Sequence, residues 1–362
     1  MQRYAVAILA LGALSCDAPL EPAPPSWQTL ATLRVYVETD YMKVAVDGNT
    51  AYFPYWITSE NYNGGIKKYQ DGVLTDAYVP ELKGADYAGV TNIAIGPKSG
   101  WAVATRRYTR ASTLGGENAP VLFLVKYENG RWAGENEFPV DLGSDDFPLG
   151  IVPKDSDSCY LLGSGDSVRV PRKLYKFENG VVNVIPGVEA NAFAYDAATK
   201  TTYALAGRAD RIDVMVSADG GASWTSETVV AEAPVNTFNT GYVYAAVGGA
   251  GVLYFCGRTK DPGGTAVYRR TGAAGAGRYE LCGYYPLGPY AGMEAYGLAV
   301  DGRGHVVIVG RKKSICFKGE VWREEELPEK NDFYAVTGGP AGFYAIAIRG
   351  MVTSDTQLLY HP

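Results

Sequence analysis

The feature that most limits what this chain can fold into is a repeat of two kinds of hairpin. One kind is "IKKYQDGVLTDAYVP" from Ile66, "LVKYENGRWAGENEFP" from Leu124, "KLYKFENGVVNVIP" from Lys173, "VMVSADGGASWTSETVV" from Val214 and "KSICFKGEVWREEELP" from Lys313, with a longer copy, "AVYRRTGAAGAGRYELCGYYP", from Ala266. Each reads as strand, tight glycine turn, strand. Asn-Gly and Asp-Gly supply the positive φ angles that two-residue hairpin turns demand. An apolar residue shortly after each turn is expected to pack beneath it: Leu74, Trp132, Val182, Trp224, Tyr279 and Trp322.

A second kind of hairpin precedes each of these, as in "KVAVDGNTAYFPYWI", "AFAYDAATKTTYALAGR" and "GLAVDGRGHVVIVGR", and reads as two short buried strands around a turn. It occurs in seven units, at intervals of roughly 40 to 57 residues, which gives four strands per unit and about the period of a propeller blade. The abundance of Gly (44) and Tyr (27) against 5 Met suits short strands joined by turns. The expected fold is therefore all-β: a seven-bladed β-propeller of four-stranded antiparallel blades, with six or eight blades as alternatives. The seventh unit stops one strand short after "TSDTQLLYHP", while "WQTLATLRVYVE", Trp27 to Glu38, has no local partner. The N-terminal strand, around Leu30 to Val37, is expected to complete the last blade near Leu358 to Tyr360, because an open array leaves an unpaired edge. The domain then spans 27–362.

Within the fourth unit, "SADGGASWT" resembles the Asp-box, or BNR repeat, of sialidase-like propellers, carried here by Ser217, Asp219, Gly221 and Trp224. The other units keep only "ENG" or "QDG". The resemblance implies a structural turn on the outer strands, away from the ligand face.

The first residues read as an export signal. "AVAILALGAL", Ala5 to Leu14, has the length of a signal h-region and is too short to span a bilayer. "ALSC" resembles a bacterial lipobox, which makes 1–15 the signal peptide and Cys16 the lipidated residue; Ala13 stands where the lipobox usually has Leu. The stretch 16–26 holds four prolines in eleven residues and reads as a tether. Asp17 resembles an inner-membrane retention signal. The expected address is the bacterial cell envelope, exported and lipid-anchored, on the periplasmic side or the outer surface. Cys159, Cys256, Cys282 and Cys316 form no CxxC pair and leave disulfide pairing open. With His305 and His361 as the only histidines, no Cys/His zinc site is expected, and no cofactor or metal. The net charge of -6 argues against nucleic acid as a partner.

A sialidase-like activity would need an arginine triad, a Tyr/Glu pair and an acid/base aspartate. "VRVP", Val168 to Pro171, is the nearest approach to the family's arginine segment but stands three units into the repeat. The pairs Asp155 with Asp157 and Asp145 with Asp146 read as solvated turns rather than Ca²⁺ loops, which need six to eight oxygens. The sharper pattern is that the second strand ends in Arg106, Arg208, Arg258, Arg311 or Arg349 in five units. Basic residues outnumber acidic ones by about two to one in the loops that follow these strands. One reading is a rim for an anionic ligand. The other, favoured, is internal pairing with acids in the loops leading into each blade, such as Glu81, Asp86, Asp141, Glu189 and Asp332. Trp56, Tyr62 and Tyr108 would then flank the contact surface. The function expected is a non-catalytic propeller, monomeric, that binds a protein or anionic glycan on its channel face. A sialidase-like carbohydrate-active enzyme and an assembly factor for a membrane complex are the alternatives.

Overall fold

The computed structural model describes residues 27–34, 43–56, 64–97, 99–107, 121–142, 148–163, 171–231, 235–248, 251–261, 263–286, 295–310, 313–318, 321–326, 332–348 and 355–362. They form seven four-stranded antiparallel sheets. Strand β1 is Gln28–Arg34. Blade one comprises β2–β5 (Ala45–Asp47, Thr50–Trp56, Gly64–Gln70, Val73–Tyr78), and blade two β6–β9 (Tyr87–Ile95, Gly100–Arg107, Val121–Glu128, Arg131–Val140). Blade three is β10–β13 (Gly150–Pro153, Ser158–Leu162, Arg172–Glu178, Val181–Ala190), and blade four β14–β17 (Ala192–Asp196, Thr201–Gly207, Arg211–Ser217, Thr225–Val230). Blade five is β18–β21 (Thr237–Val247, Leu253–Asp261, Gly263–Thr271, Arg278–Pro286), and blade six β22–β25 (Ala295–Val300, Val306–Gly310, Lys313–Lys318, Val321–Glu326). Blade seven takes β26–β28 (Asp332–Gly338, Phe343–Ile348, Asp355–His361) and closes with β1. The chain is a seven-bladed β-propeller, as its repeats predict.

The turn chemistry follows the sequence. Asp71–Gly72, Asn129–Gly130 and Asn179–Gly180 all carry positive φ at both positions, the condition for a tight hairpin whose twist matches its strands. The core is a ring rather than a centre: seven hydrophobic clusters each fill one gap between neighbouring blades. A strand in the middle of a blade therefore meets a neighbour on both faces. β11 (SCYLL) and β23 (VVIVG) are buried at every residue, so they show no alternation. Outer strands such as β5 and β17 face solvent along most of their length.

Closure is non-covalent. β1 pairs antiparallel with β28, Gln28 opposite Tyr360 and Arg34 opposite Asp355, with a bulge between Thr29 and Ala31. The strand thus begins two residues earlier than the sequence suggests, and 35–42 lie outside the described residues. Trp27, 2% exposed, anchors its start: Nε1 donates to Ser314 Oγ of β24 at 2.8 Å, and the ring lies 4.8 Å from that of Phe333 in β26. On the other side of the blade, Phe53 and Ala51 of β3 pack with Ile346 and Leu358. Removing β1 strips a full ladder and a buried indole. A chain starting at Tyr41 is expected to aggregate or melt well below one starting at Ser26, as read by thermal denaturation and gel filtration; equal melting temperatures would refute the closure.

Candidate functional site

The first strands of blades two to seven, with Lys43 and Val44 just ahead of β2, line a central channel of about 590 Å³. Strand direction alternates within a blade, so β18, β22 and β26 start at the mouth shared with the loops that follow the second strands. There they place Tyr242, Tyr296 and Tyr334 in an arc across blades five, six and seven. The rings of Tyr296 and Tyr334 stack 5.8 Å apart at 11°. Arg258, at the end of β19, slots its guanidinium 4.1 Å from the Tyr242 ring and 4.9 Å from that of Tyr296, and its Nε donates to the Ala295 carbonyl at 3.2 Å. A guanidinium held between aromatic faces presents a flat, rigid, amphipathic surface. Tyr244 lies deeper, and burial raises its phenol pKa, so it stays a neutral hydroxyl. Phe193 and Leu298 continue the wall below.

The other described arginines of the series stand at the same blade position but do not join this arc. Arg106 is buried and turned outward, its Nη1 2.9 Å from Glu137 Oε2, its Nε donating to the Glu81 carbonyl at 2.6 Å and its guanidinium over Phe123. Burial alone would raise the carboxyl of Glu137; Arg106 and Lys83 outweigh it and hold the group below its ordinary value. Arg208 reaches Asp213 at 3.2 Å and Glu189 at 3.7 Å. Arg311 and Arg349 lie outside the described residues, as do Cys16, Tyr62, Tyr108, the signal 1–15 and the tether 16–26.

The opposite face is built of carboxylate-capped turns. Asp219 Oδ1 accepts from Ser217 Oγ (2.8 Å), Ala222 N (3.0 Å) and Ser223 N (2.9 Å), and Ser217 Oγ accepts from Gly221 N at 2.7 Å. The Ser223 hydroxyl and amide, then Ser217, hold the Asp219 carboxyl well below the usual range. Gly221 sits at φ +91, where a side chain would be strained. Asp155, Asp196 and Asp301 cap turns of the first hairpins in the same way, through Asp157 N, Ala198 N and Arg303 N at 2.9 Å each. The Asp155/Asp157 pair is such a turn: Asp155 is occupied by its own amides and Ser158, and Asp157 pairs with Lys126. The expectation that every post-turn apolar residue is covered needs correction. Trp132 is buried at 6%, Trp224 is half-buried with Nε1 donating to the Gly221 carbonyl, and Leu74, on the outer strand β5, is exposed.

Two side-chain clusters escaped the sequence reading. Arg270 of β20 makes a buried two-point pair with Glu227 of β17, Nε to Oε2 at 2.8 Å and Nη2 to Oε1 at 2.6 Å, and Tyr279 donates to the same carboxylate. This Arg/Tyr/Glu set holds one arginine, lies sealed between blades four and five, and does not reach the channel. Cys316, Glu325 and His361 converge between blades six and seven. Pairing of Ser314 with Glu325 puts Glu325 on the Cys316 face of its hairpin, which the turn at "KGE" implies, but only blade stacking brings His361 there. Cys159, Cys256, Cys282 and Cys316 are free thiols.

No protein-family model matches the sequence, and no curated protein matches it. Solved structures do. The chain is similar to the Cps50 (Swd1) β-propeller domain of Myceliophteria thermophila, with TM-score 0.57 at 12% identity over 92% of this chain and 99% of that one. It is similar to a chain of the mitotic checkpoint complex (0.57, 10% identity, 96% and 98% covered). It is also similar to YCF48 from Cyanidioschyzon merolae (0.54, 11% identity, 93% and 99% covered). These matches establish the fold. At such identities they carry no activity across.

The difference in burial between the two turn tryptophans sets their worth. Trp132→Ala is expected to cost about 3–5 kcal/mol and Trp224→Ala roughly 1–2 kcal/mol, because the cost tracks buried volume lost. Urea denaturation reads both; a larger loss at Trp224 would show that its turn, not its packing, carries the blade.

Proposed function

We propose that the protein is an exported, lipid-anchored envelope propeller that binds a protein partner at the channel mouth without catalysing a reaction on it. The observation that carries this reading is the arc of Tyr242, Arg258, Tyr296 and Tyr334. Tyrosine and arginine are the side chains that most often anchor protein interfaces, since both bring large area at small entropic cost. One of the structural neighbours is part of a protein complex by its own description, and a scaffold role fits a propeller whose mouth is aromatic. An acidic glycan fits less well: Arg106 and Arg208 already hold carboxylates of their own chain, and a glycan would have to compete with them. Ser217, Asp219, Gly221 and Trp224 serve as an Asp-box-like structural turn in this reading.

A photo-crosslinking residue in place of Tyr296, tested in envelope membranes of the native host, is expected to trap one discrete adduct. The yield should fall at least about tenfold when Tyr242 and Tyr334 are both changed to Ala, as loss of hot-spot residues implies. Equal adducts from a probe at the outer-strand residue Val230 would refute the mouth as the contact. For the anchor, metabolic labelling with a fatty acid is expected to mark the wild type and not Cys16→Ala, and equal labelling of both would sink the lipoprotein assignment.

A further inference from the structure

The cluster at the ring closure has the chemistry of a metal site. Cys316 Sγ (β24), Glu325 Oε2 (β25) and His361 Nε2 (β28) lie within 4.8 Å of one another, with Sγ 3.8 Å and Oε2 2.7 Å from the same imidazole nitrogen. The His361 ring is fully buried and Cys316 is 2% exposed. The other ring nitrogen, Nδ1, faces the main-chain oxygen of Pro362 at 3.1 Å. That oxygen can only accept, so Nδ1 donates to it, and Nε2 is left facing the Glu325 carboxylate. Two acceptors 2.7 Å apart require a cation between them, a proton or a metal. Metal-bound histidines characteristically donate their far nitrogen to a carbonyl in this manner.

A nucleophile triad does not fit the geometry. In such a triad the carboxylate holds the nitrogen remote from the nucleophile, and the three groups act in series. Here thiol and carboxylate meet at one nitrogen, so the three atoms converge on a point, and the partly exposed Glu325 leaves an approach for a water to complete four-coordination.

We infer that Cys316, Glu325 and His361 bind one zinc ion, which ties the last strand of the ring to the preceding blade. The charges balance: Zn²⁺ with a thiolate, a carboxylate and a neutral imidazole is neutral overall, as a largely buried site favours. Binding forms the Zn–S, Zn–N and Zn–O bonds, breaks the S–H bond of Cys316 and displaces the proton held between Nε2 and Oε2, and both protons pass to solvent. Burial, with Glu325 beside it, pushes the Cys316 thiol up, so without a metal the sulfur stays protonated. Donor atoms around tetrahedral zinc stand roughly 3.3–3.6 Å apart. The nitrogen and oxygen would thus spread by roughly 0.6–0.9 Å, while the sulfur would close by a few tenths of an ångström on the nitrogen and by up to about 1.5 Å on the oxygen. The surroundings hold the set in place: Trp27 and Phe343 wall the imidazole at 5.2 and 6.2 Å, and Trp27 fixes Ser314, whose hydroxyl bonds the Cys316 sulfur.

The test uses the full chain carrying Cys16→Ser and Cys282→Ser, so that the remaining thiols are the buried Cys159, Cys256 and Cys316. The protein is freed of metal by a chelator and titrated with cobalt(II), both in the folded state and during refolding. One equivalent per chain, a thiolate-to-cobalt charge-transfer band, displacement of cobalt by zinc and a higher melting temperature with zinc are expected. Cys316→Ser should abolish the band and weaken binding by more than about 100-fold, beyond what outer-shell changes cost. Cys159→Ser should leave both unchanged. Absence of a saturable charge-transfer band in the starting protein overturns the site whatever the variants do, and so does a band that persists in folded Cys316→Ser.

Discussion

The antiparallel pairing of β1 with β28 is the constraint on which the rest of this structure depends. Every other blade is made of consecutive strands, so each can form as soon as its own segment is available. The seventh blade cannot form until the two ends of the domain meet. The entropy of closing so long a loop falls on one ladder and one indole. That explains why Trp27 is among the most completely buried large side chains and why its nitrogen is bonded to a neighbouring blade rather than to its own. The Cys316–Glu325–His361 cluster lies against the same seam.

The two ends of the channel are stabilised by different physics. At one, aspartates accept hydrogen bonds from backbone amides two to four residues ahead, which gives each turn its own internal brace. At the other, Arg106, Arg208 and Arg258 draw on acids, carbonyls and aromatic rings. The carboxyls of Glu137 and Glu227 lie below their ordinary values even though burial acts to raise them. Their pairs with Arg106 and Arg270 therefore add stability above the ordinary carboxylate range and lose it as pH falls through the depressed values.

Much of the fold was legible because propeller blades repeat local rules. Asn-Gly and Asp-Gly turns, the repeat of two kinds of hairpin and an unpartnered segment at Trp27 are all readable without tertiary information, and they led to the blade count and the closure. Arg106, Arg208 and Arg258 were also readable as a series at one blade position. Their separate fates were not. Glu137, which holds Arg106, sits in an outer strand with no special pattern, and Tyr242 and Tyr296 are two of 27 tyrosines until curvature brings them beside Arg258. Likewise nothing local to His361 announces that the final residues form an interior strand of a blade. What the sequence hides are contacts between blades, since those depend on rotation about an axis that no single repeat encodes.

The direction of β1 has a geometric consequence. It starts beside Tyr360, at the face of the capped turns, and runs toward the channel mouth, ending beside Asp355. Anything attached before Trp27 therefore leaves the ring from the side opposite Tyr242, Tyr296 and Tyr334. If that attachment is a lipid in a bilayer, the disc rests with its Asp219 side toward the headgroups and opens its aromatic mouth outward. Its partner would then have to come from the aqueous compartment, or stand tall enough in the membrane to reach over the rim.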